Sequence, residues 1–141
     1  MQALKCFSEA EWDSLLQSCI ANQQIRLAER VDAANLLFVQ SKTPANHEAT
    51  ASLLKEIGEL AITVNLTDEP ETVIVLDAMD EIVMLSAQRF PKAALPTLVS
   101  IQTRFKQMVE STEGLSSDMK RKCERSHQNL LGCIAISKEA S

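Results

Sequence analysis

The chain has 141 residues, 45% of them hydrophobic, with 3 Gly, 4 Pro, 4 Phe, 1 Trp and no Tyr. That is one domain's length with enough apolar content for a core, which excludes a disordered chain, and the shortage of Gly and aromatic residues disfavours β-sandwiches and barrels. Glycines stand only at 58, 114 and 132, so no GxGxxG or GxxxxGK[ST] phosphate loop can be written, and a net charge of −5 disfavours a dedicated nucleic-acid binder.

Ser8-Glu-Ala-Glu11 is a capping box that opens a helical pattern of Trp12, Leu15, Leu16, Cys19 and Ile20. The pattern resumes as Leu27, Val31, Ala34 and Phe38, and the polar patch Asn22-Gln23-Gln24 between the two favours a broken pair over one helix from 8 to 40. Thr43-Pro44 reads as an N-cap followed by proline at the first helical position. The helix it opens carries Ala49, Leu53, Ile57, Leu60 and Val64, seconded by Leu54 and Ala61, and leaves Lys55, Glu56 and Glu59 on its solvated side.

Asp68-Glu-Pro-Glu71 is a second capping box. It precedes the most apolar segment, Val73-Ile-Val-Leu76 with Met79, Ile82, Val83, Met84, Leu85, Ala87 and Phe90. A strand over the β-branched run competes, but the cap and the continuing 3.6-residue period favour a helix. Because it is apolar nearly all round, the 69–90 helix is expected at the centre of the fold. Pro91 ends it, and Pro96 is expected to restart a helix with Leu98, Ile101, Phe105 and Met108. Gly114-Leu115 looks like a C′ glycine with its apolar contact. The last helix starts near Ser116 or Ser117 with a stripe of Met119, Cys123, His127, Leu130 and Ile134, and residues 137–141 are expected to fray.

The expected fold is all-α, a compact bundle of five or six helices forming a single helical domain over 1–141. Helix starts near 44, 69, 92 and 117 give two helices per about 48 residues, which resembles the repeat length of HEAT and armadillo arrays. The stretch Leu66-Thr-Asp-Glu-Pro-Glu-Thr-Val73 with Ala78 is loosely similar to a HEAT repeat. The resemblance implies an architectural alternative, a short solenoid of stacked helix pairs.

The first residues show no basic region followed by a long apolar run, so no secretory signal is expected. Runs such as Val73–Leu76 fall far short of the roughly 20 residues that span a bilayer. Cys6, Cys19, Cys123 and Cys133 form no CxxC pair, and reduced thiols in a cytoplasmic protein are the expectation.

Glu124-Arg-Ser-His127 has the ExxH spacing of di-iron helices. A second ExxH is missing, since the other histidine, His47, follows Pro44 by three residues. Cys123 and His127, four apart, share one helix face and could ligate zinc with Cys19 or Cys6. The same pair could form a nucleophile and base if the thiol pKa were lowered. A phosphotransfer histidine is a further comparison, but Gln128-Asn-Leu-Leu-Gly132 departs from the pattern after such a residue. Two side chains in an apolar stripe are the plainer account of all four, so no metal, cofactor or catalytic residue is assigned.

Charge is distributed unevenly. Residues 1–40 carry 3 basic and 5 acidic side chains, residues 41–90 carry 3 and 9, and residues 91–141 carry 8 and 5. The acidic middle is focused in Asp77, Asp80 and Glu81, and the basic end in Lys120, Arg121, Lys122 and Arg125. The two clusters could attract each other within the fold or across a homodimer, and either could dock a protein partner. The near-absence of aromatic residues weakens an RNA reading. The apolar flanks of the first 33 or so residues also suggest a homodimer. The expected function is a non-enzymatic protein–protein interaction module, a small regulator, adaptor or chaperone-like binder. One alternative is a metal- or redox-linked helical protein using Cys and His, and another is a piece of a helical-repeat scaffold.

Overall fold

The computed structural model describes residues 8–40 and 47–140. They form six helices, α1 (Glu9–Ala21), α2 (Leu27–Gln40), α3 (His47–Thr63), α4 (Glu69–Arg89), α5 (Pro91–Val109) and α6 (Ser117–Ala140). There is no strand among the described residues, so the chain is all-α. The Thr43-Pro44 start and Cys6 lie outside the described residues.

Local chemistry places most boundaries. Ser8 caps α1: its Oγ accepts the Glu11 N–H at 3.2 Å and donates to Glu11 Oε1 at 3.1 Å. Such a cap contributes about 1 kcal/mol. At Asn22 the pattern breaks as a pair of helices, because the side-chain oxygen accepts the Gln24 N–H at 2.9 Å and competes with continued helix. Asp68 Oδ1 accepts the Glu71 N–H at 3.3 Å to cap α4, and Pro70 sits harmlessly in the first turn. Ser116 caps α6 by accepting the Met119 N–H at 3.2 Å.

Three boundaries differ from expectation. Helix α5 begins at Pro91, so Pro96 lies inside it and restarts nothing. Pro91 already occupies the favourable first position, and Pro96 sits on the exposed side, where water can satisfy the carbonyl one turn back. Gly114, with φ 86°, lies beyond the α5 C-cap Glu110 and serves as the third residue of a turn closed by Leu115 N–H to Thr112 O at 3.2 Å. Positive φ is what a type II turn requires there. The tail does not fray at Ser137: α6 continues to Ala140 and Ser137 is fully buried.

Helix α4 is central, packing against α2, α3, α5 and α6. It buries Val75, Leu76, Met79, Ile82 and Val83. Its first turns are less enclosed than the sequence suggests, with Val73 37% and Ile74 52% exposed. On α3 the buried face is Leu53, Leu54, Ile57, Gly58 and Ala61, rotated from the expected stripe so that Leu60 reaches the surface. Gly58 is there because α5 comes close: a Cβ at 58 would stand 2.6 Å from Ile101 Cδ1. At the far end of α4, the Phe90 ring stacks on Phe38 at 5.8 Å and on His47 at 5.1 Å.

The main helix–helix contacts join elements one or two apart in the chain. The bundle is therefore laid down in chain order, and α1 rests mainly on α2 and α3.

Candidate functional site

The acidic and basic clusters meet along the seam between α4 and α6. Lys122, Ser126 and Asn129 recur at steps of four and three and so share one face of α6. That face meets Asp77 and Asp80 of α4. Lys122 Nζ donates to Asp77 and, at 3.3 Å, to Asp80 Oδ2. Ser126 Oγ donates to Asp80 Oδ2 at 3.2 Å, and Asn129 Nδ2 donates to the Asp80 carbonyl at 3.2 Å. The charge attraction anticipated from the sequence is thus satisfied inside one chain. Glu81 is exposed and takes no part in the seam.

Burial pushes the Asp80 carboxyl above the usual range, with Ser126 and Lys122 pulling it back. Its Oδ1 is buried without a hydrogen-bond partner. Burial works against the Lys122 ammonium, but Asp77 and Asp80 outweigh it and hold its pKa above that of an ordinary lysine. Buried Cys133, on the same helix, is pushed up to about 11 by burial, with Asp80 adding to the effect. Burial also raises Cys123, against the pull of Lys122. A nucleophilic cysteine needs the opposite shift, a lowered thiol pKa.

His127 is half-buried between α5 and α6. Its Nε2 lies 3.5 Å from Gln102 Nε2, and its ring centroid is 6.3 Å from that of Phe105. Glu124 points to solvent. Among the described residues no group of three or more His, Cys, Asp or Glu side chains could hold a metal. Cys19 does not join Cys123 and His127, since α1 packs on α2 and α3 while α6 packs on α4 and α5.

Beside the seam opens a groove of about 630 Å³ between the first turns of α4 and α6. Its apolar lining is Pro70, Val73 and Met119, and its basic wall is Arg121, Lys122 and Arg125, with Glu69 and Asp118 also bordering it. Arg121 lies 3.8 Å from Asp118, and both are more than half exposed, so that pair is worth little. Among the described residues, Arg125 and Lys120 approach no carboxylate within ion-pair distance. Three of the four basic residues singled out from the sequence therefore line one groove, and Lys120 is exposed on the same helix.

A second groove, of about 910 Å³, runs between the α1–α2 turn, α3 and the start of α4, with Ile25, Leu27, Leu60 and Ile74 in its lining. Arg30 and Glu56 also line it. The sequence reading missed this pair and put Glu56 on a solvated face. A signal was present: Arg30 lies three residues after Leu27 and four before Ala34, on the apolar stripe of α2.

The fold and site define a helical bundle with a charged seam between α4 and α6 and surface grooves beside it. Comparison with protein-family models, with curated proteins and with solved structures gave no match. Among the described residues no helix is long and apolar enough to cross a membrane.

Proposed function

We propose that the chain is a non-enzymatic interaction module, an adaptor or regulator, that seats an acidic amphipathic helix of a partner protein in the groove between α4 and α6. The observation that carries this reading is the exposed Val73, in the less enclosed first turns of the central helix, lining the same groove as Arg121 and Arg125. An amphipathic helix docks by placing apolar anchors in such a groove and charges on its rim. Arginine suits the rim because its guanidinium forks onto carboxylates. Lys122 contributes position more than net charge, being engaged by Asp77 and Asp80. A cytoplasmic location goes with this reading, since the three described cysteines are free thiols and two are buried.

Affinity capture under native salt, followed by mass spectrometry, tests it. A partner retained by the wild-type chain should be lost by an Arg121→Glu/Arg125→Glu variant and eluted by moderate salt. A partner set that the variant and salt leave unchanged contradicts the reading.

A further inference from the structure

Lys122 belongs to two places at once. Its ammonium closes the seam on Asp77 and Asp80, and its side chain forms part of the groove wall across from Val73. The two carboxylates that hold it are not equivalent. Asp80 is 26% exposed, and among the described residues its carboxylate accepts from Lys122 and Ser126 alone, with Oδ1 buried and unpartnered. It has little to put in the lysine's place. Asp77 is 60% exposed, so water can replace its bond to Lys122 at small cost.

An ammonium carries three donors on a flexible stem. It can therefore keep Asp80 while exchanging Asp77 for another carboxylate. The place of that other carboxylate is set by α4: Asp77 follows Val73 by four residues, on the same face and one turn further along. We infer that Asp77 is an internal competitor for the partner. In the free chain it occupies Lys122, and an acidic helix docks by exchanging that bond. Lys122 turns to a partner carboxylate one helical turn from the apolar residue that meets Val73, while Asp80 keeps its hold. Resting on the groove reading, this exchange adds to it a gate and the spacing of apolar anchor and acid that selects the partner.

Fluorescence anisotropy with the full chain tests it. The probe is a labelled, alanine-rich helical peptide with one leucine and with glutamates three and four residues from it. The wild-type chain should bind this peptide, and Arg121→Glu/Arg125→Glu should abolish binding. Asp77→Asn should bind about fivefold more tightly, while Glu81→Gln, an equal change of charge at an exposed position of α4 outside the seam, should stay within about twofold of wild type. In a Lys122→Met background the Asp77→Asn gain should vanish, because no ammonium is left to exchange. Lys122→Met leaves Asp80 without its cation, so a second peptide supplies an arm that does not need this variant to fold. Its glutamates stand two residues from the leucine, off that face of the helix, and with it Asp77→Asn should gain nothing.

No binding by the wild-type chain, or binding indifferent to the arginine reversal, removes the groove and the exchange together. Binding through the arginines overturns the exchange alone if the Asp77→Asn gain is no larger than that of Glu81→Gln, is the same without Lys122, or is the same for both peptides.

Discussion

Arg30, only 2% exposed, grips Glu56 with both guanidinium ends, Nη1 to Oε2 at 2.5 Å and Nη2 to Oε1 at 2.9 Å, while its Nε donates to the Ile20 carbonyl at 2.8 Å. One side chain thus ties the last turn of α1, the start of α2 and the middle of α3 together. Glu56 is 31% exposed, so the two partners are not equivalent. Removing the carboxylate strands a buried cation, which typically costs about 3–5 kcal/mol. Removing the cation leaves a carboxylate that water can reach. Chemical denaturation should therefore show Glu56→Ala to be more destabilising than Arg30→Met. Arg30→Lys should also destabilise, because an ammonium cannot reproduce the fork together with the Nε bond.

The pair also has a pH signature. Its hydrogen bond with Arg30 holds the Glu56 carboxyl below its ordinary 4.5, against the opposing effect of burial. A depressed folded pKa gives stability that is present above the unfolded pKa and lost as pH falls through the folded one. Comparing stability from pH 7 down to pH 3, the wild-type chain should lose more than Glu56→Gln does.

Asp80 has the opposite sign. Burial raises its carboxyl above 3.8 despite Ser126 and Lys122, so its ionised form is held less well in the fold than in the unfolded chain. A raised folded pKa gives a contribution that is full below the unfolded pKa and is lost as pH rises through the folded one. Asp80→Asn should therefore be more stable than wild type in thermal melts at neutral pH, with Lys122 retaining Asp77. That advantage should shrink on acidification.

Two glycines inside helices should respond oppositely to alanine. At Gly132 an added Cβ meets nothing within 4 Å, so Gly132→Ala should stabilise by about 0.5–1 kcal/mol through helix propensity. At Gly58 the Cβ would press on Ile101 Cδ1 and Cγ1 at 2.6 and 2.7 Å. Overpacking typically costs about 1–3 kcal/mol, which exceeds the propensity gain. Gly58→Ala should lower the melting temperature, and a larger residue there should lower it further.

The thiols should separate by reactivity. Cys133, at about 11, is roughly a thousandth ionised at pH 8, and Cys123 is raised and fully buried. Cys19 is partly exposed on α1. Mass spectrometry after timed alkylation should find Cys123 and Cys133 labelled roughly a hundredfold or more slowly than Cys19, and at comparable rates only in denaturant.

Helix positions were legible where a local rule decides them. Ser8, Asn22, Asp68 and Ser116 each act through hydrogen bonds to residues two or three away. The central place of α4 was legible because hydrophobicity all round a helix needs several neighbours. Pro96 misled because proline's effect depends on the turn before it, and Pro91 had already begun the helix. Leu60 and Ile74 misled because periodicity gives a helix an apolar face without saying how far along it the neighbours reach. The attraction between the acidic and basic clusters could be read as charge, but its internal closure through Lys122, Ser126 and Asn129 depends on how α6 rotates against α4. Arg30–Glu56 joins residues 26 apart and obeys no local spacing.

The most direct measurement is site-specific photo-crosslinking from Val73, replaced in the full-length chain by a photoreactive aromatic amino acid, in the cell. It should yield one predominant protein adduct, mapping to an acidic amphipathic helix of the partner, and Arg121→Glu/Arg125→Glu should abolish it. No adduct from Val73, or an adduct indifferent to the charge reversal, would contradict the groove as the binding site.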